Sequence, residues 1–243
     1  MKNKLLNSVI DNIKTILIAA FIAIFIRSFF VQPFYIPSSS MEPSLLIGDR
    51  IFVTKYSYGY SKHSFPFSPP IFKNRIFSRL PERGDLVVFK TPSDNRTDYI
   101  KRLIGLPGDT IIFKNNNFFL NGKKIPRTKK KILVNNRCGP YKFNYNYFLE
   151  QLPNGVKYIA AYKTEDTFNN NFEYIVPKDH FFLIGDNRDC SNDSRIDVGY
   201  VNKINLVGKA RLIFFSNDSV KGSVLKFWQW NESLRLNRFF KKI

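Results

Sequence analysis

The first hydrophobic feature of the chain is an apolar run near the amino terminus. Residues 15–26 read TILIAAFIAIFI without a charge, and after Arg27 the run continues as SFFVQPF to Phe34. Because apolar residues would cover every face of a helix here, the pattern favours a membrane span over a one-sided core helix. The run reaches the roughly 18 to 20 residues that a span needs when it includes residues 29–31, while the charged end of Arg27 extends toward the interface.

The charges around this run predict its orientation. Lys2, Lys4 and Lys14 precede it, and an excess of lysine before a span favours a cytoplasmic amino terminus and an exported remainder. A cleaved signal peptide would need a small-x-small site after the run, and FIRSFFVQP contains none. We therefore expect residues 1–33 to form a cytoplasmic tip and one uncleaved transmembrane helix.

Beyond Pro33 the hydrophobic pattern changes to that of β-strands. The segments DRIFVTKYSYGY and GDLVVFK are typical of strands, and DTIIFKNNNFFLNGKKI is typical of a hairpin around Asn and Gly. EYIVPKDHFFLIGD and NLVGKARLIFF add two more strands. Aromatic residues, which favour a pleated and half-buried surface, make up 16% of the chain. The sequence predicts a mainly β fold, with no helix longer than the anchor.

The composition indicates an anionic partner. The 243 residues include 38 Lys and Arg against 19 Asp and Glu, a net charge of +19, which suits either nucleic acid or lipid head groups. The basic segment GKKIPRTKKK, residues 122–131, is interpreted as a solvated loop. Trp228 and Trp230 lie among basic residues, as at a membrane interface, although a packed terminal strand would explain them nearly as well. No motif of a nucleic-acid-binding module is present, so we expect lipid and no nucleic acid.

Several chemistries are disfavoured by what the chain lacks. Cys138 and Cys190 are its two cysteines, and they show neither a disulfide framework nor metal-ligand spacing. His63 and His180 are the two histidines, with no HExxH motif, so no metal site is expected. The GxSxG motif of other serine enzymes is also missing. A serine enzyme with this sequence would therefore need a base other than histidine.

Three segments are dense in polar residues: IPSSSMEPSLL at 36–46, DYIKRLIGLPGD at 98–109 and GDNRDCSNDSR at 185–195. A serine hydroxyl becomes an effective nucleophile only when a neighbouring base takes its proton. A lysine amine has an ordinary pKa of about 10.4, and it can act as that base when burial lowers its pKa by up to about 3 to 5 units. Lys101 has apolar neighbours in a predicted strand, which is a suitable setting.

These segments, together with PERGDLVVFK, resemble the ordered motifs of type I signal peptidases. Members of that family are membrane-anchored serine/lysine endopeptidases that remove signal peptides from exported proteins. The resemblance extends from the anchor through NLVGKARLIFF and reaches LRLNRFFKKI, which is similar to the family's basic carboxyl-terminal segment. Four motifs in the same order are a specific signal of the family.

The resemblance implies a role for each polar residue of these motifs. Ser40 would be the nucleophile and Lys101 the general base. Ser38 would contribute to the oxyanion hole with the backbone N–H of Ser40, and Ser191 would orient the lysine amine. Ser39 would be a spacer, because in a β-strand Ser38 and Ser40 point one way and Ser39 the other. The residues that would support the site structurally are Gly185, Asp186, Asp193 and Arg195.

The resemblance also implies how a substrate binds. The cleavage segment of the preprotein would lie extended and pair with two strand edges, at residues 34–38 and 98–101, by β-augmentation. Ile36 and Ile100 match residues that line shallow S1 and S3 pockets, which would admit only small side chains and give an Ala-x-Ala preference. For either isoleucine alone, core packing is an equally good interpretation. The implied substrate-binding residues are Phe34, Ile36, Pro37, Asp98, Tyr99 and Ile100.

On this resemblance, the fold is an antiparallel-sheet catalytic domain of residues 34–109 and 178–243, with a small second β domain of residues 110–177 inserted. It implies no metal or organic cofactor, a monomer, and two kinds of partner: signal peptides of exported preproteins and membrane phospholipids. The location would be the bacterial inner membrane, spanned once, with the catalytic domain on the exported face. The chain departs from the family at Cys190, where asparagine is more common, and many Gram-negative members have two spans.

Two other functions stay open from the residues alone. A self-cleaving regulator of the SOS-repressor type uses a related serine/lysine pair, but it would carry a DNA-binding helical module where this chain has an apolar run. A non-enzymatic, basic, membrane-bound binding module would need no catalytic pair. Cleavage of a preprotein would distinguish these functions.

Overall fold

The fold was analysed in a computed structural model, which describes residues 2–70, 72–114, 117–132, 137–138, 141–163, 171–218 and 220–243. It begins with helix α1, Lys2–Phe29. Within the described residues, α1 is the one helix that is long and apolar enough to cross a membrane, over Leu6–Phe29. Its most apolar window is not buried in the protein, so an apolar surface is left for lipid to cover.

The end of α1 differs from the sequence prediction. The sequence extends the span through residues 29–31, but α1 ends at Phe29 and Val31 is the first residue of a strand. The helix gains its length at the other end, where it already includes residues 2–14. The carbonyl of Phe30 accepts a hydrogen bond from the backbone N–H of Lys55 at 2.9 Å, so Phe30 already belongs to the folded β structure.

The rest of the described chain is mainly antiparallel β structure, which confirms the predicted fold class. A short helix, α2, covers Trp230–Ser233. In chain order the described strands are β1 (Val31–Tyr35), β2 (Asp49–Thr54), β3 (Leu86–Lys90), β4 (Asp98–Gly105), β5 (Thr110–Lys114), β6 (Asn117–Leu120), β7 (Lys123–Lys124), β8 (Arg127–Lys130), β9 (Arg137–Cys138), β10 (Tyr141–Lys142), β11 (Asn146–Gln151), β12 (Lys157–Tyr162), β13 (Phe172–Ile175), β14 (His180–Ile184), β15 (Val201–Asn202), β16 (Leu206–Ser216) and β17 (Lys241–Lys242).

The main sheet has the strand order β1-β2-β16-β3-β4-β14-β15, with β17 paired to β16. The inserted residues form smaller sheets of order β13-β5-β6-β7, β12-β11-β8 and β10-β9. The predicted hairpin is present as the antiparallel pair β5 and β6, and its connection at residues 115–116 lies outside the described residues. Strand order therefore follows chain order only in part, since β16 lies between β2 and β3.

In the described part of the main sheet, β1 and the first half of β4 each have one edge without a paired strand. β1 pairs with β2 alone and is an edge strand. In β4, residues 102–105 pair with β14, but the described register leaves residues 98–101 unpaired on that side. Both segments carry predicted substrate-binding residues, and free N–H and C=O groups are what an added peptide strand requires.

The inserted residues share a hydrophobic core with the main sheet. One buried cluster contains Ile104 of β4 and Phe182 of β14 together with Phe113 and Phe118 of the insertion. The rings of Phe113 and Phe182 lie 6.5 Å apart between centroids. The insertion thus packs on β4 and β14 of the main sheet through common side chains. The division at residues 110–177 stays a prediction, and part of that range lies outside the described residues.

The carboxyl-terminal segment decides between the two interpretations of its tryptophans. β17 holds only Lys241–Lys242, whereas Trp228 and Trp230 lie in a 3-10 turn and in α2 and are both exposed. The packed-strand interpretation of the tryptophans is therefore wrong, because the chain folds into short helical turns after β16 and before it reaches β17. Their place at a membrane interface stays a prediction.

A disulfide joins Cys138 in β9 to Cys190 in the loop after β14, across 52 residues of sequence. No framework in the sequence predicts this pair, because two cysteines far apart in the chain carry no spacing signal. The bond connects the inserted segment to the loop that contains the third polar motif.

We expect the substitution Cys138→Ser to lower the free energy of unfolding. Opening a covalent loop of this length releases chain entropy in the unfolded state, for which the typical effect is about 2 to 4 kcal/mol. Denaturant unfolding of the full chain in detergent micelles, with and without reductant, measures it. Reductant should lower the stability of the wild type to that of Cys138→Ser and leave the variant unchanged. Equal stability of oxidised wild type and variant would contradict the prediction.

Candidate active site

Ser40 and Lys101 meet at the centre of the site. The Nζ atom of Lys101 lies 2.6 Å from the Oγ atom of Ser40, although 61 residues separate them in the chain. Lys101 lies in β4 and is 3% exposed, and Ser40 is 8% exposed. The carbonyl of Ser40 accepts a hydrogen bond from the backbone N–H of Asn187 at 3.1 Å. An amine and a hydroxyl are thus held at proton-transfer distance in a nearly water-free place.

Burial changes the proton affinity of the Lys101 amine. It lowers the pKa of Lys101 from 10.5 to about 8, because the ammonium loses its hydration. The carboxylates of Asp193 and Asp186 oppose this effect on the pKa, and the guanidinium of Arg195 adds to it. The ring centroid of Tyr99 lies 5.4 Å from Nζ. Near neutral pH the amine is therefore far more often uncharged than that of an ordinary lysine.

The serine run lies outside the strand in which the sequence places it. β1 ends at Tyr35, and a turn follows in which the N–H of Glu42 donates to the carbonyl of Ser39 at 3.0 Å. The alternating directions still hold, because the Oγ atoms of Ser38 and Ser40 lie 3.4 Å apart. Ser39 instead directs its hydroxyl to the Sγ atom of Cys190, at 3.5 Å.

Ser191 is buried beside the pair but is not hydrogen-bonded to Lys101 in the described structure. Its side chain packs against Gly185. A Cβ at that glycine would collide with the Ser191 side chain and with the carbonyl oxygen of Ser40. Glycine is therefore required at position 185 for the loop to approach Ser40 so closely. The lysine-orienting role of Ser191 stays a prediction.

Asp193 and Arg195 form an ion pair behind the site, with 2.8 Å between Arg195 Nη2 and Asp193 Oδ2. The same carboxylate accepts the backbone N–H of Gly185 at 2.8 Å. Burial alone would raise the pKa of the Asp193 carboxyl, but the adjacent guanidinium and these hydrogen bonds hold it below its ordinary value. The carboxylate stays ionised and fixes the turn that begins at Gly185.

A second buried pair was missed by the sequence analysis. Arg102 donates two hydrogen bonds to Asp186, at 2.7 Å from Nε and 2.6 Å from Nη2, and Ser44 donates to the same carboxylate at 2.5 Å. Strand alternation could have indicated that Arg102 has a partner on the face opposite Lys101, because consecutive residues of β4 point to opposite faces. The pair attaches the turn after β14 to β4 and to the segment after the nucleophile.

A third buried pair, also missed, joins the loop after β14 to the insertion. Arg188 donates to Glu150 of β11 at 2.6 Å, and the hydroxyl of Tyr158 donates to the same carboxylate at 2.7 Å. Backbone bonds from Ala161 of β12 to Asp186, and from Arg188 to Ala161, extend this contact at 2.8 and 2.9 Å. No sequence spacing connects these residues, so folding alone reveals them.

A cleft of about 390 Å³ opens beside the Ser40 hydroxyl. Its apolar wall includes Met41, Ile51 and Val88, all of which are buried. It lies along β1 and the unpaired part of β4, so an extended chain could lie between the two strand edges. All of the predicted substrate-binding residues line this cleft: Phe34, Ile36, Pro37, Asp98, Tyr99 and Ile100. Among the residues that the structure describes, no three His, Cys, Asp or Glu side chains form a group that could hold a metal ion.

Comparison with known proteins gives the family. A family model described as signal peptidase, peptidase S26, matches residues 9–215. The chain is 44% identical over 240 residues to a signal peptidase I of Rickettsia typhi, covering 91% of this chain and 89% of the relative. It is 42% identical over 248 residues to one of Rickettsia bellii, covering 95% and 84%.

A solved structure of a signal peptidase I from Enterococcus faecalis is 25% identical, with a TM-score of 0.33, and the match covers 54% of this chain and 97% of that one. The family model and the rickettsial relatives each span most of this chain, including all three polar motifs. The chain therefore belongs to the signal peptidase family of serine proteases, peptidase S26.

Proposed function

We propose that this chain removes N-terminal signal peptides from exported preproteins, with Ser40 as the nucleophile and Lys101 as the general base. The observation that carries the proposal is the 2.6 Å distance between Lys101 Nζ and Ser40 Oγ at a buried position. It is supported by the pKa of Lys101, which burial lowers to about 8. A serine hydroxyl is unreactive without such a base.

In the proposed mechanism the uncharged amine of Lys101 takes the proton of the Ser40 hydroxyl. Oγ then bonds to the carbonyl carbon of the residue before the scissile bond, and the Ser38 hydroxyl and the Ser40 N–H donate to the oxyanion. As the tetrahedral intermediate collapses, the C–N bond breaks and the ammonium of Lys101 protonates the leaving amine. Water, deprotonated by the same amine, hydrolyses the acyl-enzyme and releases the signal peptide.

The substrate is proposed to add an extended strand between the free edges of β1 and β4. The cleft wall of Ile36, Met41 and Ile51 is apolar and densely packed in a core cluster, which leaves shallow pockets. Small side chains at the first and third positions before the cut would fit them, and this gives the Ala-x-Ala preference. Ile36 and Ile100 both line the cleft and pack on the core cluster, so they combine the two roles.

The residues behind the pair are proposed to hold the amine in position. Asp193 and Arg195 fix the turn at Gly185, which packs closely against the Ser191 side chain and the Ser40 carbonyl. Ser191, buried against this turn, would orient the amine of Lys101. Arg195 also offsets the charge of Asp193, so that the pair does not hold Lys101 in its charged form.

We further propose that α1 anchors the protein in the bacterial inner membrane with its amino terminus in the cytoplasm. The β structure would then lie on the exported face as a monomer, in contact with phospholipids. The length and composition of α1 and the lysines before its apolar part support this. Tethering enzyme and substrate to one surface raises the local substrate concentration without further contacts.

The two alternative functions are less well supported. A non-enzymatic binding module is set aside, because the family is one of serine proteases. A self-cleaving regulator would need a DNA-binding module at the amino terminus, where this chain has α1. The free edges of β1 and β4 also suit a peptide from another chain.

The variants Ser40→Ala and Lys101→Ala should each abolish cleavage of a purified preprotein, because one lacks the nucleophile and the other the base. Activity should fall by at least about a thousandfold, the scale for a lost nucleophile or base. Ser39→Ala and Lys114→Ala are the matched controls and should cleave at the wild-type rate, with equal unfolding temperatures throughout. Full activity in either test variant would remove the mechanism.

Cleavage should depend on pH as the titration of Lys101 dictates. The uncharged amine is the active form, so kcat/KM should rise about tenfold per pH unit below the pKa of about 8 and level off above it. Ser191→Ala should lower the plateau and leave the midpoint in place if Ser191 orients the amine without setting its charge. A midpoint near 10.5 in the wild type would show an unburied amine and contradict the assignment.

The variant Ser38→Ala tests the oxyanion hole. Loss of one donor to the oxyanion should lower kcat by roughly a hundredfold or more while KM stays near its wild-type value. The Ser38 hydroxyl is near Ser40 Oγ and not in the apolar wall, so substrate binding should be little affected. Steady-state kinetics on one preprotein measure both constants, and an unchanged kcat would exclude Ser38 from the oxyanion hole.

A further inference from the structure

A second cavity, of about 490 Å³, lies beside the carboxyl-terminal end of α1. It is separate from the Ser40 hydroxyl, although it shares Phe34 and Asp98 with the substrate cleft. Most of its charged lining is basic, which distinguishes it from the apolar cleft. The side chains that define this basic cavity are Arg27, Lys62, His63, Lys90 and Arg96.

The basic cavity is fixed to the last turn of α1. The hydroxyl of Tyr60 donates to the carbonyl of Phe29 at 2.9 Å. The ring of Phe29 also contacts the rings of Tyr60 and Phe65, with centroids 5.5 and 5.4 Å apart. Since Phe65 lines the cavity, the end of the apolar helix and the cavity wall are one packed unit. If α1 spans a membrane, this cavity lies where lipid head groups begin.

The positive charges of the cavity exceed its negative charges. Asp98 is paired with Lys90 at 2.8 Å. Asp94 accepts the backbone N–H of Arg96 at 2.8 Å and so stabilises its own turn. Among the described residues, the side chains of Arg27, Lys62 and Arg96 have no carboxylate partner. Counting every charged side chain of the lining, four cations face the two carboxylates of Asp94 and Asp98, so the concave surface has a net charge of +2.

Two buried groups of this region have lowered pKa values. Burial, with a smaller contribution from the charge of Lys62, lowers the pKa of His63 to about 4. Burial likewise lowers the pKa of Lys55 to about 7, with Asp98 opposing and Arg27 adding to the effect.

His63 itself is 4% exposed and lines the cavity, and its Nδ1 pairs with the Ser68 hydroxyl at 2.9 Å. Its Nε2 has no hydrogen-bond partner in the described part of the chain. In the tautomer whose Nδ1 accepts from the Ser68 hydroxyl, Nε2 carries the proton and could donate to an oxygen of an anionic ligand.

We propose that the basic cavity binds the phosphate head group of an anionic membrane phospholipid. Unpaired lysine and arginine side chains suit a phosphate, and basic pockets beside transmembrane helices attract anionic head groups. Phe67, which lines the cavity and is fully exposed, is placed to contact the acyl chains. This inference rests on the proposed membrane anchoring by α1, but it requires neither Ser40 nor Lys101.

The apolar part of a signal peptide is a poorer occupant of the basic cavity. Transfer of an apolar segment there would desolvate unpaired cations without giving them a partner. A bound phosphate would instead compensate them. Because the cavity and the cleft share Phe34 and Asp98, a bound lipid would lie at the mouth of the cleft.

The test measures lipid affinity directly. The full chain in neutral detergent micelles is titrated with phosphatidylglycerol or with phosphatidylcholine, and bound lipid is counted by native mass spectrometry. We expect tighter binding of phosphatidylglycerol by about tenfold or more. The double variant Lys62→Gln/Arg96→Gln should lose most of this preference, since each cation near the surface contributes about a fivefold change in affinity.

The matched control is Lys123→Gln/Lys124→Gln, which removes two exposed charges on β7, away from the basic cavity. The control should keep the wild-type preference. An equal loss in both double variants would indicate diffuse electrostatics and overturn the proposal, as would the absence of a preference in the wild type. Unfolding temperatures equal to that of the wild type verify that both variants fold.

Two further experiments test whether the bound phosphate belongs to a lipid and whether α1 anchors the protein. Inorganic phosphate at millimolar concentration should not displace phosphatidylglycerol beyond the effect of chloride at the same ionic strength. Displacement by phosphate alone would show that the cavity binds a free anion and would overturn the proposal of a lipid ligand. In a flotation assay the wild type should remain with phosphatidylcholine vesicles, and its release would count against α1 as an anchor, whereas cleavage assays test Ser40 and Lys101 independently.

Discussion

The buried amine of Lys101, held against the Ser40 hydroxyl, is the constraint on which the surrounding structure depends. A lysine in such a place keeps a lowered pKa only if no nearby carboxylate is free to bind its ammonium. Each buried carboxylate close to it has its own guanidinium: Arg195 pairs with Asp193, and Arg102 pairs with Asp186. Without either arginine, an unpaired carboxylate would raise the pKa of the amine. The ion pairs behind the site therefore favour the uncharged amine that the proposed mechanism requires, and they also support the turn.

The same requirement accounts for the attachment of the insertion to the site. The loop after β14 carries residues that must lie within contact of Ser40, and a loop alone is too free to hold them. Glu150 of β11 binds Arg188, and Cys138 of β9 is bonded to Cys190, so the loop is fixed from the side opposite β4. Removing one partner of a buried pair is costly, which makes this attachment strong. Through these two contacts, the insertion determines the position of the loop beside Ser40.

The sequence predicted the antiparallel β class, the apolar helix and the residues that line the cleft. The pairing of Ser40 with Lys101 was implied by the resemblance of the ordered motifs to a known family, and no local pattern in the chain indicates it. It did not predict the partners Glu150 and Arg188, because pairs between distant strands leave no local spacing. The serine run was assigned to a strand on its alternation, but hydrogen bonds after Tyr35 turn the chain there. Local patterns predicted the elements that a single segment determines, and they did not predict contacts between distant segments.

The short connection between anchor and nucleophile sets the height of the site above the membrane, if α1 spans it as proposed. α1 ends at Phe29, and the five residues of β1 follow after one residue, so the two elements are joined without a flexible linker. At about 3.4 Å per residue, β1 carries the chain at most about 17 Å from the helix end before the turn that holds Ser40. A substrate held in the same membrane and extended along β1 must cover this distance too. Under the proposed function, the number of extended residues between the apolar segment and the cleavage site of a substrate would match β1. The position of the cut would then depend on this strand as well as on the small side chains proposed to fit the cleft.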